Sequence, residues 1–370
     1  MTWESVPLSE VVKVRRGHDL PARVRKPGSV PVVSSGGVSG YHDVAIVDGP
    51  GVVLGRATNL GQPTWVDGPY WPHNTTLYVE DFCGNNPRWV YWWFKTHDLS
   101  AFNSGSVQPM LNRNYIAKVP VSLPPLEEQE RIAGVLGAFD DLIETNRRLV
   151  ETLEGLIHGM FAQERFDESP TDDRAVTLRG LISINPRMAK PKGDAPYVDM
   201  AMLPTSSALL GTPQTRPAAG GARFQNGDTL VARITPCLEN GKTAYVTNLD
   251  DQAVAVGSTE FIVLRGEDEL SGIWTYALAR SPRFRGFAIR QLGDGTSGRQ
   301  RLSADAVSDY LVPRPSVDAL VRFRERSGPL VAAMTALHDE AMDLTRQRDE
   351  LLPLLMSGKV RVRDMAGATS

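Results

Sequence analysis

The chain has 370 residues, 41% hydrophobic and 22% charged, the balance of a soluble globular protein with room for two domains. A formal net charge of −3 excludes a uniformly basic nucleic-acid binder, although a local basic face would not register in that sum. The N-terminal MTWESVPLSEVV lacks the apolar core of a secretion signal, no run reaches membrane-span length, and the 6 histidines and 2 distant cysteines, Cys83 and Cys237, form neither metal-ligand spacing nor a disulfide framework, which suits a reducing cytoplasm.

In chain order, residues 1–123 read as a mixed, strand-rich domain. Val30–Ser34, Gly51–Leu54 and Leu77–Val79 are short apolar or β-branched runs bounded by turn residues, hence strands. Asn86 and Pro87 are the cap and first residue of an aromatic helix ending near Thr96. Its Trp89, Trp92 and Trp93 suit a packed core more than a base-stacking platform. Val119–Leu123 closes the domain as a strand.

The stretch 124–163 opens on two prolines and then contains none. Ile132, Leu136, Phe139, Ile143, Asn146, Val150, Leu153, Ile157 and Met160 recur in alternating steps of four and three, the seam of a coiled coil. Such a helix would run roughly 55 Å. Residues 164–175 are polar and read as a linker.

From Val176 the chain starts again. Val176–Leu178 echoes Val6–Leu8, Thr229–Arg233 echoes Val52–Arg56, Ser258–Val263 echoes Asn74–Val79, and Trp274–Arg280 echoes Val90–Lys95. Leu302 matches Leu111, and Val312–Pro315 matches Val121–Pro124. Without a gap, Phe323, Leu330, Leu337, Leu344 and Leu351 then fall on Ile132, Phe139, Asn146, Leu153 and Met160. The companion row, Ser327, Met334, Ala341 and Arg348, is less apolar. The pattern predicts an α+β chain with an internal pseudo-twofold repeat: a domain over 1–123, a helix over 124–163, a linker, a like domain over 176–315, a helix over 316–356, and a tail over 357–370. One such helix alone would read as a bundle or oligomerisation helix. Two copies, each behind a like domain, predict an intramolecular antiparallel coiled coil, with Asn146 facing Leu337 or its neighbours and helping to set register.

No catalytic constellation is legible. Glu239–Thr243 (ENGKT) resembles the end of a phosphate loop, but Pro236 stands where its first glycine belongs. Asn86-Pro87-Arg88-Trp89 lacks the second proline of an adenine-methyltransferase motif. What remains is a binding signature. Arg280, Arg283, Arg285, Arg290, Arg299 and Arg301 surround the glycine-rich Gly293–Gly298, which carries Thr296 and Ser297, and Gln300 follows. The counterpart is Asn103–Gln108, with Ser104, Ser106 and Gln108, followed by Arg113 and Asn114. Glycine permits close approach to phosphate, hydroxyls donate to it, and Arg and Gln read base edges. Solvated arginines with local ion pairs are the plainer alternative. Arg56, Asn59 and Gln62 follow one strand; Arg233, Asn240 and Lys242 follow its echo, in loops suited to base contact.

In this order the pieces resemble the DNA-specificity subunit of Type I restriction–modification systems. The resemblance rests on Pro124–Ile132 (PPLEEQERI), the Gly105-Ser106 and Gly295-Thr296-Ser297 loops, the Gly227-Asp228 turn, Ser258–Phe261 and Leu351–Val360. It implies two target-recognition domains separated by antiparallel helices that act as a ruler, each domain reading half of a bipartite site in double-stranded DNA. It further implies partner methyltransferase (M) subunits, expected as two, and restriction/translocase (R) subunits, with no membrane. S-adenosylmethionine, ATP and Mg would sit on those partners and no cofactor on this chain, which would not itself be an enzyme. The second copy departs from the pattern at Arg314–Asp318, Ser327, Arg348 and Pro353, which puts the regularity of its helix in question. The alternatives are a recognition subunit of a related methyltransferase or phage-defence system without a translocase, and a protein–protein scaffold.

Overall fold

The computed structural model describes residues 3–104, 109–171, 173, 175–250, 252–268, 271–292 and 300–362. The chain divides into two compact units: Met1–Asp141 with Thr345–Ser370, and Leu142–Leu344.

The first unit runs β1 (Glu4–Pro7), α1 (Leu8–Val11), β2 (Lys13–Arg16), β3 (Val30–Ser34), β4 (Gly37–His42), β5 (Gly51–Gly55), β6 (Pro63–Val66), β7 (Trp71–Pro72), β8 (Thr76–Asp81), α2 (Pro87–Thr96), β9 (Asn103–Ser104), β10 (Met110–Leu111), α3 (Arg113–Ile116) and β11 (Pro120–Leu123), then enters α4 (Leu126–Gln163). The second runs β12 (Ala175–Thr177), β13 (Ile182–Ile184), β14 (Asp194–Val198), β15 (Gln214–Pro217), β16 (Ala222–Phe224), β17 (Thr229–Ala232), β18 (Thr243–Tyr245), β19 (Ala255–Gly257), β20 (Phe261–Gly266), α5 (Gly272–Arg280), α6 (Pro282–Arg290), α7 (Ala304–Ser308), β21 (Leu311–Pro313) and α8 (Val317–Met356). The mixed α and β content with two long helices agrees with the α+β expectation.

The two units share a topology. A central sheet is ordered β2-β8-β5-β6 in one and β13-β20-β17-β18 in the other. A pair of outer strands, β1-β11 and β12-β21, precedes each long helix. A second sheet is ordered β4-β3-β7 in the first unit and β15-β14-β19-β16 in the second, and the place of β16 is held in the first unit by the single antiparallel bridge of Val47 with Tyr70. One predicted echo is out of register by a residue. Leu54 pairs with Leu77, while its counterpart Val231 pairs with Ile262, so Leu77 corresponds to Ile262 and not to Phe261. Burial agrees: Leu77 and Val79 face the helix-lined core, as do Ile262 and Leu264, whereas Tyr78 and Val263 face the opposite side. A slip of one residue turns every side chain to the other face of a sheet, and STEF-like similarity alone cannot detect it.

Local chemistry explains the main elements. Asn86 caps α2 as expected, its side-chain oxygen accepting from the Arg88 and Trp89 amides, each at 3.0 Å. Trp89, Trp92 and Trp93 are buried in the first core, which removes them as a stacking platform. Gln129 joins α2 to α4, beside the Arg88–Asp140 pair at 2.7 Å, a role that the repeat pattern does not show. Its Oε1 accepts from the Asn86 amide at 2.9 Å, and its Nε2 donates to Asn85 Oδ1 at 2.8 Å and to the Pro124 carbonyl at 2.9 Å. Gln129→Leu leaves buried backbone groups unsatisfied and is expected to cost this unit about 2–3 kcal/mol. A lower urea midpoint with unchanged m-value, and faster hydrogen exchange over residues 86–96, would show it; an unmoved midpoint would refute the clamp.

The seam is buried as its spacing requires. Ile132, Leu136, Ile143, Val150 and Ile157 are buried, with Phe139, Leu153 and Met160 half-buried. In the second unit, Glu164 meets Arg322 at 2.8 Å and Asn146 Nδ2 donates to Glu340 Oε2 at 3.0 Å. Partner numbers fall as α4 rises, so the helices are antiparallel there, and Asn146 lies within one turn of Leu337. In the first unit, Arg348 meets Asp140 at 2.8 Å, and Leu352, Leu355 and Met356 pack with Ile132 and Leu136.

Three expectations change. The second helix is regular: α8 is unbroken from Val317 to Met356, through Pro329 and Pro353. Its less apolar row is the more buried one, with Ser327, Met334 and Ala341 all enclosed, because small side chains let helix backbones approach. Ser327 satisfies its hydroxyl by donating to the Phe323 carbonyl at 2.7 Å. The 164–175 stretch is not only linker: Phe166 is buried between Phe161, Trp274 and Phe323, and Ala175 already pairs in β12. The 357–370 stretch is likewise not only tail, since Val360 and Val362 pack on the first core.

Candidate nucleic-acid interface

In both units the last residue of a central strand is followed by an arginine held in the same way. The Leu111 amide donates to the Arg56 carbonyl at 2.9 Å, and the Leu302 amide donates to the Arg233 carbonyl at 2.8 Å. The fold therefore brings Arg56 beside the β9–β10 hairpin, and Arg233 beside Gln300 and Arg301. The Thr235 amide reaches the Gln300 carbonyl at 3.2 Å, and Ile234 bridges Arg301. These are the two predicted groups that the structure assembles.

Around Arg56, the backbone is fixed from several sides. Its amide donates to the Thr75 carbonyl at 3.0 Å and to Ser35 Oγ at 3.3 Å. Its guanidinium is half-buried, and burial first, then the nearby Arg16 charge, lower its pKa. Two cations held together in this way favour an anion between or beside them. Asn59 has φ +50°, and its Nδ2 donates to the Ser35 carbonyl at 3.2 Å, so this amide shapes the loop. Gln62 is exposed. Ser104 pairs with Met110 in the hairpin. Arg113 and Asn114 are exposed at the start of α3, which is capped by Asn112. Ser106 and Gln108 lie outside the described residues, as do Thr296, Ser297 and Arg299.

In the second unit, Arg301 grips both carboxylate oxygens of Glu260 at 2.8–3.0 Å. Arg233 is half-buried, with its Nε unpartnered. Asn240 and Arg290 are exposed. Lys242 Nζ is engaged by the Met200 carbonyl at 2.7 Å. The dense arginine run is largely structural. Arg280 donates to the Thr205 and Gly241 carbonyls, Arg283 to the Leu311 carbonyl, and Arg285 to the Glu239 carbonyl. Charge counted along the sequence overstated the free basic face because helix α5–α6 turns three of these groups inward. Sequence reasoning missed Arg16, Arg187 and Arg223, which become neighbours of the predicted arginines only when distant strands pair.

Comparison with known proteins follows from this geometry. Residues 1–155 match the family model described as "Type I restriction modification DNA specificity domain". The chain is 26% identical over 141 residues to the EcoprrI Type I specificity subunit of Escherichia coli, covering 36% of this chain and 35% of that protein. It is 20% identical over 292 residues to the MjaVIII specificity subunit of Methanocaldococcus jannaschii, covering 72% and 68%. With the MjaIX specificity subunit of the same organism it shares 35% identity over 87 residues, 22% of this chain and 20% of that one. The chain thus spans about a third and a fifth of the EcoprrI and MjaIX proteins. The fold resembles the crystal structure of the Type I restriction–modification S subunit from M. genitalium, with a TM-score of 0.60, 16% identity, and coverage of 95% and 96%.

Proposed function

We propose that the whole chain is the sequence-reading subunit of a Type I restriction–modification complex, a reading supported by the match of residues 1–155 to the DNA-specificity domain model of that family. Each unit reads one half of a bipartite site, and the α4–α8 pair acts as the spacer. The observation that supports this most is the repeated bond, Leu111 amide to Arg56 carbonyl and Leu302 amide to Arg233 carbonyl, which sets an arginine at the same strand end in each unit.

In this reading the chain does no bond chemistry. Arg56, Arg113, Arg290, Arg299 and Lys242 supply phosphate contacts or orientation. Ser104, Ser106, Thr296 and Ser297 donate hydroxyls to the backbone. Gln62, Gln108, Asn114, Asn240 and Gln300 supply edge readout, each good bidentate contact being worth about 1–3 kcal/mol of discrimination, while Asn59 and Arg301 shape the loops through Ser35 and Glu260. Two M subunits carry S-adenosylmethionine and take the target adenine out of the stack. R subunits carry ATP and Mg.

The test is salt-dependent retention. Purified chain, alone or with its M subunit, should bind duplex DNA with log K falling linearly in log salt. Methylome sequencing of a host with and without the chain should reveal an asymmetric two-part adenine motif. Retention that ignores salt, with no motif gained, would favour a protein scaffold. A motif without restriction would favour the related system that lacks a translocase.

A further inference from the structure

We propose that the arginine-lined cleft between the two sheets of the second unit grips one phosphodiester of the DNA backbone. The proposal rests on the DNA-binding reading above and adds residues to it.

The cleft has a volume of about 550 Å³ and is lined by Asn185, Arg187, Gly221, Arg223, Arg233 and Phe261, among others. Three arginines therefore line one space, and among the described residues no carboxylate lines it. Two acids of this unit are already engaged: Glu260 by Arg301, and buried Asp228 by Arg265, at 2.6 Å from both Nε and Nη2. Within the cleft, the Nε atoms of Arg223 and Arg233 are both buried without a partner. A buried donor left unpaired is costly, and three arginines lining one space favour an anion there.

The site is built rather than incidental. Arg223 is steered by its own Nη1, which donates to the Met188 carbonyl at 2.6 Å, and Arg265 donates to Met188 Sδ at 3.1 Å. Asn185, at φ +49°, turns the chain out of β13, its Oδ1 accepting from the Val263 amide at 2.9 Å. That turn carries Arg187 to the mouth, where it is exposed. Gly221, at φ +148°, sits where any Cβ would lie 2.1 Å from the Gly257 carbonyl oxygen, so only glycine lets β16 lie against β19. The space exceeds an inorganic phosphate and suits a phosphodiester with its sugar against Phe261. Arg223 lies on β16, whose place in the first unit is held by Ile46 and Val47, apolar residues bonded to Tyr70 beside β7.

The experiment uses the full chain and two unrelated 40-base-pair duplexes, titrated across a salt series. Arg187→Ala should weaken both duplexes alike by about tenfold, the size of one charge-assisted hydrogen bond. It should also reduce the slope of log K against log salt by about one. Arg187→Lys should keep most of the slope, and the methylated motif should be unchanged. Arg223→Gln should behave like Arg187→Ala. If that variant misfolds by circular dichroism, exposed Arg187 decides alone. Wild-type binding with an unaltered slope in Arg187→Ala overturns this proposal and leaves the DNA-binding reading standing. No salt-dependent binding by wild type sinks both. Calorimetric binding of ADP that duplex DNA does not displace would assign the cleft to a free nucleotide and overturn the proposal.

Discussion

Replacing Glu154 by alanine will destabilise the second unit by about 3–5 kcal/mol, the usual result of removing one partner from a buried ion pair. Glu154 projects from α4 into the core with a side chain only 6% exposed. There the hydroxyl of fully buried Tyr276 donates to it, and Arg280 Nη2 lies at 3.4 Å and His158 Nε2 at 3.6 Å. Burial works against its ionisation, but the bonds from His158 and Tyr276 and the charge of Arg280 prevail and hold its pKa below the usual range. Burial and the Glu154 charge push the Tyr276 phenol well up. Alanine would leave the Arg280 charge enclosed without its carboxylate, and the Tyr276 hydroxyl without the acceptor that Glu154 supplies. Tyr276→Phe should cost less, about 1–2 kcal/mol. The sign with pH follows from the depressed folded pKa: the contribution is present above the unfolded carboxylate value and lost as pH falls through the folded one. Wild type and Glu154→Ala should therefore converge in acid. Hydrogen exchange over residues 272–280 measures it, and equal protection in both proteins at neutral pH would show the pair to be inert.

If the helix pair is the spacer proposed above, inserting four residues into α4 at Leu142, matched by four in α8 at Leu344, should lengthen the unread gap of the target by about two base pairs. Four helical residues rise about 6 Å, against 3.4 Å per base-pair step. Each four-residue insertion shifts the seven-residue phase and unwinds the pair locally, but the matched one keeps the antiparallel partners of Asn146 and Asp140 in step, whereas an unmatched one pulls them out of alignment. Methylome sequencing reads the gap directly. The same motif with the same gap would remove the spacer role while leaving recognition untouched.

What could be read from the residues was whatever repeats or caps. The seam from Ile132 to Met160, the Asn86-Pro87 helix start and the order of like strands are periodic or local, and local rules reach them. What escaped depends on partners far away in the chain. Gln129 is one polar residue in a helix until Asn85, Asn86 and Pro124 close around it. Phe166 is a lone aromatic in a polar stretch until Trp274 and Phe323 flank it. The β8 and β20 echo was recognised yet slipped by one residue, because similarity of letters does not carry pairing register. Among the candidate contacts, Arg280, Arg283 and Arg285 looked free because composition counts charge without direction. The cleft arginines Arg187 and Arg223 looked unrelated because they lie 36 positions apart in the chain, on opposite walls of a space formed by strand pairing.

The first unit is discontinuous: residues 345–362 supply part of its core, and a Cβ added at Gly358 would lie 3.1 Å from the Trp3 ring. A ribosome therefore completes the inner module first, although the outer one was begun earlier. The early-made half must wait, its aromatic interior uncovered, until Leu352, Leu355 and Met356 emerge from the exit tunnel. A premature stop near codon 345 would accordingly damage the portion of the protein translated first, and chaperone capture should be sought on that waiting intermediate.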